Sequence, residues 1–213
     1  MINKILPIYK PIDYSSAEIV KIIREEFNII KAGHAGSLDP FASGLLIVCT
    51  GDKTKMVETF MNLKKEYYAK IKLGKLTDTL DLTGQVLQEV NVEEYSKLHV
   101  EKILKLFIGE IEQIPPYFSA LKVNSIPLYK FARRNIFIRK RARKAKIYNI
   151  KFLSFKNNTI EFRVECSRGT YIRSLARDIC AKLNTIGYLE SLERLRIGEY
   201  SIAQALKINK ISE

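Results

Sequence analysis

The chain has 213 residues, 46% of them hydrophobic and 28% charged, with a pI near 9.6 and a formal net charge of +13. That balance excludes a disordered polar chain, and no apolar run approaches the roughly 20 residues that a membrane helix needs. The opening Met1-Ile2-Asn3-Lys4-Ile5-Leu6-Pro7 is broken by proline too soon for a secretory signal.

Along the chain, Ser15 and Glu18 form a capping-box pair, and Ile19, Ile22, Ile23 and Phe27 recur with helical spacing, which predicts a helix over 15–28. Gly33, Gly36, Pro40 and Gly44 make 31–44 a loop, and the apolar run Leu45-Leu46-Ile47-Val48-Cys49 predicts a buried strand. Residues 67–73 alternate, with Tyr67, Ala69, Ile71 and Leu73 facing the core and Tyr68, Lys70 and Lys72 opposite. A helix over 97–108 closes on Gly109, and strands 147–155 and 159–166 flank the turn signal Asn157-Asn158. A helix over 170–183 follows Arg168-Gly169, with Tyr171 and Arg173 on different sides of it, and 196–202 reads as a final strand. Strands and helices mix without a βαβ rhythm and without internal repeats or linkers, so the expectation is a single α+β domain over 1–213.

The charge is unevenly spread. Residues 1–110 carry 15 basic and 15 acidic side chains, whereas 111–213 carry 21 and 8 and supply the whole excess. No acidic residue lies between Glu112 and Glu161, a stretch in which lysines and arginines alternate with Tyr129, Phe131, Phe137 and Tyr148. A block of one sign repels itself, and a polyanion relieves that repulsion; the aromatic interleaving suits nucleic acid better than a membrane surface. Cys49, Cys166 and Cys180 are odd in number and sit in apolar surroundings, which fits reduced thiols in the cytoplasm. With His34 and His99 as the two histidines and no CxxC pair, no zinc site is expected. There is no GxGxxG, no phosphate loop around Gly51-Asp52-Lys53-Thr54 and no Gly-x-Ser-x-Gly elbow.

What stands out is Asp39, held among three glycines and a proline in 33–44. Such a backbone either presents a carboxylate or lets it cap an Asp-Pro turn, and spacing alone leaves both open.

Gly33-His34-Ala35-Gly36-Ser37-Leu38-Asp39-Pro40-Phe41-Ala42-Ser43-Gly44-Leu45-Leu46 resembles the signature loop of the TruB family of tRNA pseudouridine synthases. Further matches follow in the family's order: Lys10-Pro11, Lys65-Glu66-Tyr67, Leu73-Gly74, Thr77-Asp78-Thr79-Leu80-Asp81, Gln113-Ile114-Pro115-Pro116, Ser119-Ala120-Leu121-Lys122, Tyr129 with Ala132-Arg133, and Cys166-Ser167-Arg168-Gly169-Thr170-Tyr171-Ile172-Arg173. The resemblance runs from about residue 5 to about residue 200.

The resemblance implies a pseudouridine synthase fold, a mixed and largely antiparallel sheet flanked by helices and loops. It implies conversion of a uridine in the T-loop of tRNA, position 55, to pseudouridine without metal or cofactor. Asp39 would be the nucleophile, at ribose C1′ or uracil C6, and Arg173 the cation that keeps it ionised. Extruding a base costs a few kcal/mol, and stacking returns about 1–3 kcal/mol, the role implied for Tyr67 together with handling of the C5 proton. His34 would fill the space left by flipped bases, Tyr171 would line the pocket and Lys10 would join the substrate contacts. Asp78 and Asp81 read as structural loop acids. The basic stretch 122–151 matches an insertion that grips the T-arm, with Arg133, Arg139, Arg141 and Arg143 as RNA contacts, expected to be mobile without RNA. Ser125, where a glycine is common, and the nearby Pro127 stiffen its hinge. The chain ends at Glu213, where many bacterial relatives continue into a small RNA-binding PUA domain; the expectation is a short form in which the charge of 122–156 compensates. Nothing in the sequence demands association, so a monomer is expected. The competing readings are a pseudouridine synthase for another RNA, an RNA-binding or RNA-folding protein without catalysis, and a ribosome-associated structural protein.

Overall fold

A computed structural model describes residues 3–208. In chain order the elements are β1 (Ile5–Lys10), α1 (Ser16–Glu26), β2 (Ala32–His34), β3 (Ser43–Thr50), α2 (Val57–Asn62), β4 (Lys65–Leu73), β5 (Lys75–Thr77), β6 (Val86–Glu89) and α3 (Lys97–Lys105). They continue with β7 (Gly109–Gln113), β8 (Lys122–Val123), β9 (Ile126–Pro127), α4 (Leu128–Ala132), β10 (Arg143–Lys156), β11 (Thr159–Cys166), α5 (Ile172–Lys182), β12 (Gly187–Ile197), β13 (Tyr200–Ser201) and β14 (Leu206–Lys207). The architecture is α+β, and its strand pairs are mixed and mostly antiparallel. The described residues form two compact units, one running up to Tyr68 and resuming at Leu192, the other Ala69–Ser191.

In the first unit β3 is the central strand. It pairs antiparallel with β1 and β2 and parallel with β12, while β14 lies parallel to β1. The run 45–49 is apolar throughout because both faces of β3 are covered. Leu46 and Val48 pack with Ile19 and Ile23 of α1, and Leu45, Ile47 and Cys49 pack with Phe60 of α2 and Ile197. Helix α1 starts where the sequence places it: the Glu18 amide donates to Ser15 Oγ at 3.2 Å, and Glu18 Oε2 accepts from the Ser15 amide at 2.7 Å.

In the second unit β10 pairs antiparallel with both β7 and β11. Asn157 and Asn158 turn the β10–β11 hairpin with φ of 53° and 56°, the left-handed pair that a two-residue turn requires. The buried residues of this unit include Ile147, Ile150, Phe162 and Val164 on the hairpin, Val100 and Leu104 on α3, and Leu175 and Ile179 on α5.

Several element readings change. The expected loop 31–44 contains β2 over Ala32–His34 and runs into β3 from Ser43, and the helix expected over 170–183 is α5 over Ile172–Lys182. Helix α3 ends at Lys105, short of the expected 108. The last long strand is β12 over 187–197, and 196–202 holds only its end and the short β13. The basic insertion is largely regular: β8 and β9 form a small hairpin, α4 follows, and from Arg143 the chain is already in β10, leaving 133–142 as the irregular segment.

Candidate functional site

Asp39, His34, Tyr67 and Lys10 lie in the first unit. The loop that carries Asp39 leaves β2 at His34 and enters β3 at Ser43, and its backbone is strapped from several directions. The Ala35 amide donates to the Ile47 carbonyl at 2.9 Å and the Ala42 amide to the Asp39 carbonyl at 3.1 Å. From the start of α1, buried Ser16 accepts from the Leu38 amide at 2.9 Å. From β1, Lys10 donates through Nζ to the carbonyls of Pro11 (2.8 Å), Tyr14 (2.6 Å) and Pro40 (3.3 Å). From β12, Arg194 donates through Nε to Leu45 (2.7 Å) and through Nη2 and Nη1 to Gly36 (3.2 Å) and Ser37 (3.4 Å).

Both cations are buried, Lys10 at 0% and Arg194 at 1% exposure. Burial pulls the Lys10 ammonium down to about 8; Asp39 opposes that shift and Arg194 adds to it, so both charges act on Lys10. Burial and, secondarily, Arg194 lower His34, which favours the neutral imidazole, and its buried Nδ1 has no hydrogen-bond partner. Tyr67 lies on the buried face of β4 at 8% exposure, with Lys65, Ala69, Ile71 and Leu73, as the alternation predicts.

Two outcomes differ from expectation in this unit. Lys10 was expected among the substrate contacts, but an ammonium enclosed by three carbonyls is fitted to hold the loop from beneath. Arg194 and Ser16 were not anticipated. In β12 Leu189, Leu192, Arg194 and Ile197 are buried and Glu193 and Arg196 are not, an irregular spacing that gave the sequence no signal for Arg194.

Tyr171, Arg173 and the basic insertion lie in the second unit. Arg173, 5% exposed in the first turn of α5, donates to the carbonyls of Thr79 (3.0 Å) and Phe118 (2.8 Å) and pairs with Asp81 at 3.2 Å. Asp81 also accepts from the Thr83 amide and from the hydroxyls of Thr79 and Thr83, and Asp78 accepts from the Gln85 amide. Both acids thus organise the turn 78–85. Tyr171 is not on the helix; it precedes α5 in an extended conformation, and the side chain of Gln113 bonds both its amide and its carbonyl. Arg133, Arg139, Arg141 and Arg143 are exposed, Arg133 lying 5.5 Å from the Tyr129 ring. Lys140 sits over the Tyr117 ring, which meets Phe137 edge-on at 4.9 Å.

Residues 24–172 match the TruB family pseudouridylate synthase N-terminal domain. The chain is 43% identical over 211 residues to tRNA pseudouridine synthase B of Clostridium tetani (strain Massachusetts / E88), covering 99% of this chain and 73% of that protein. It is 40% identical to tRNA pseudouridine synthase B of Saccharophagus degradans (strain 2-40), covering 100% of this chain and 69% of that one. Among solved structures it resembles a chain of a Cbf5-Nop10-Gar1 complex, with TM-score 0.74 and 28% identity over 96% of this chain. It also resembles a chain of an H/ACA RNP bound to a substrate RNA containing 2'-deoxyuridine, with TM-score 0.73 and 26% identity. The chain spans about half the length of these two solved chains, 52% and 51%.

Proposed function

The chain belongs to the TruB family of pseudouridylate synthases, and from that premise we propose that it isomerises a uridine in the T-loop of tRNA, position 55, with Asp39 as nucleophile. It is an isomerase that converts tRNA uridine to pseudouridine, and its relatives carry the name tRNA pseudouridine synthase B. The observation that carries the assignment of Asp39 is the strapped loop. A carboxylate that merely capped a turn would not need its flanking backbone fixed by two buried cations and a buried serine.

In this reading the uridine is extruded from its stack and the ionised carboxylate attacks C1′ or C6. The N1–C1′ bond breaks and the uracil turns; C5 bonds to C1′, the bond to the Asp39 carboxylate breaks so that the free carboxylate is regenerated, the hydrogen originally on C5 leaves as a proton to solvent, and N1 takes up a proton. Tyr67 stacks on the extruded base and takes part in removing that proton, His34 fills the vacated space, and Tyr171 lines the pocket. Lys10 holds the loop, and the resemblance makes Arg173, which pairs with Asp81 in its own unit, the counter-charge of the nucleophile. The insertion 122–151 grips the T-arm through Arg133, Arg139, Arg141 and Arg143, within a single catalytic domain. The enzyme works as a cytoplasmic monomer, a compartment in keeping with three buried free cysteines.

Tritium release from tRNA labelled at uracil C5 tests the chemistry. Wild type should release label and Asp39→Asn essentially none; equal release from both would remove Asp39 as nucleophile. Mapping the product within the tRNA then tests the T-loop position, and a product elsewhere would favour the reading as a synthase for another RNA site.

A further inference from the structure

We propose that Arg194 is a positioning residue for Asp39: from β12 it fixes both arms of the loop that carries the carboxylate and keeps a permanent positive charge beside it. This rests on the reading of Asp39 as nucleophile.

The geometry starts in the backbone. Strand β12 runs parallel to β3 with Arg194 opposite Gly44. A Cβ at residue 44 would stand 2.4 Å from the Arg194 carbonyl oxygen and 2.6 Å from its amide nitrogen. The two main chains therefore meet at a distance that only glycine permits, which places the Arg194 side chain directly under the loop.

Its donors then diverge. Nε reaches the Leu45 carbonyl, just after the loop, while Nη2 and Nη1 reach the carbonyls of Gly36 and Ser37, just before Asp39. One planar group thus ties the entry of the loop to its exit. The fork matters because a lysine presents its donors from a single nitrogen and cannot span those three carbonyls.

The charge has a separate effect. Carbonyl partners satisfy the N–H groups of Arg194 without cancelling its positive charge. The charged and titratable groups gathered at the loop within its own unit are Lys10 on β1, Asp13, Glu18 on α1, His34 on β2 and Arg194 on β12. Lys10 senses Asp39 and Arg194 together, so the guanidinium lies within electrostatic reach of the same small volume as the carboxylate.

The test separates geometry from charge with R194Q, which removes the charge, and R194K, which keeps it and loses the fork. Single-turnover rates, KM and the acid limb of the rate–pH profile are measured for both, with thermal unfolding alongside. R194Q should lose about tenfold to a hundredfold in rate with KM little changed, because the contact holds a reacting group and not the RNA. Its acid limb should move up by about one pH unit, since removing a nearby cation makes a carboxylate easier to protonate. R194K should return the acid limb to its wild-type position while its rate stays low. A folded R194Q with the wild-type acid limb would overturn the proposal, as would an R194K limb displaced as far as that of R194Q. An R194K protein that does not fold would also overturn it, by showing a purely structural role. Failure here is distinct from failure of the Asp39 assignment: if Asp39→Asn releases no tritium and the R194Q limb is unmoved, only the role of Arg194 is lost.

Discussion

Replacing Gly44 by alanine should destabilise the first unit by about 2–6 kcal/mol, and the structure supplies the parts of that sum. Gly44 has φ of +112°, where an L-residue costs about 1–3 kcal/mol. The new methyl would also lie 2.4 Å from the carbonyl oxygen and 2.6 Å from the nitrogen of Arg194, both of them backbone atoms that cannot rotate away. Relief requires β12 to withdraw from β3, where Glu193 faces Ser43 and Arg194 faces Gly44. Loosening two ladder contacts costs roughly another 1–3 kcal/mol. Gly109→Ala is the matched control, since φ there is +116° and nothing lies within 4 Å of the added Cβ; it carries the backbone strain alone. Urea unfolding followed by circular dichroism measures both variants, and thermal unfolding should show Gly44→Ala lowered by roughly 10 °C, at about 2–4 °C per kcal/mol for a chain of this size. Tritium release from the folded fraction should fall as well, because withdrawal of β12 takes the guanidinium of Arg194 off the loop. Equal destabilisation of the two variants would refute the reasoning, because the close approach of β3 and β12 would then contribute nothing.

Three further outcomes follow from the same contacts. Lys10 is held at about 8 in the fold against 10.5 as an ordinary lysine, so the unfolded chain binds more protons between those values and stability rises with pH across that window. Wild type should therefore gain up to about 3 kcal/mol on K10M between pH 7.5 and 10.5, and parallel pH–stability curves for the two would contradict it. Asp81→Ala removes one partner of a buried ion pair and the acceptor for Thr83, and should cost about 3–5 kcal/mol of stability in urea unfolding; a loss under about 1 kcal/mol would show the pair to be incidental. Changing Arg139, Arg141 and Arg143 together to alanine should weaken tRNA binding and flatten the plot of log affinity against log salt by about 0.7–0.9 per lost phosphate contact, and an unchanged slope would remove the insertion from the interface.

Elements whose cause is local were readable in the sequence. The Ser15–Glu18 box placed the start of α1, the alternation from Tyr67 placed the faces of β4, and Asn157-Asn158 placed the β10–β11 hairpin. The uninterrupted run 45–49 required a strand covered on both sides, and β3 has helices on both. Strand β12 was less legible because Glu190, Glu193, Arg194 and Arg196 interrupt the apolar pattern, and an inward arginine looks like an outward one until its partners are known. Strand β1 contains Pro7, which argues against an inner strand; it nonetheless lies between β3 and β14. Helices α2 and α4, at six and five residues, are too short to show a period. In the site, the motif pointed to Asp39, but its support did not show: Lys10 and Arg194 bond to main-chain carbonyls, and an acceptor that every residue possesses leaves no trace in the sequence.

The choice of carbonyls over carboxylates as partners for these two buried cations has a consequence for the field at the loop. A carboxylate would neutralise the charge it bonds, whereas a carbonyl dipole satisfies the N–H and leaves the net charge in place, in a region where water does not screen it. The cost of that arrangement is visible in Lys10, whose ammonium is drawn down to about 8 by burial even with Asp39 opposing the shift. The two cations then divide the work by pH. Below about 8 both are charged; above it Lys10 loses its proton, while a guanidinium does not titrate in that range. Of the two cations that bond this loop within its own unit, the arginine alone keeps its charge above that pH, and it spans the entry and the exit of the loop.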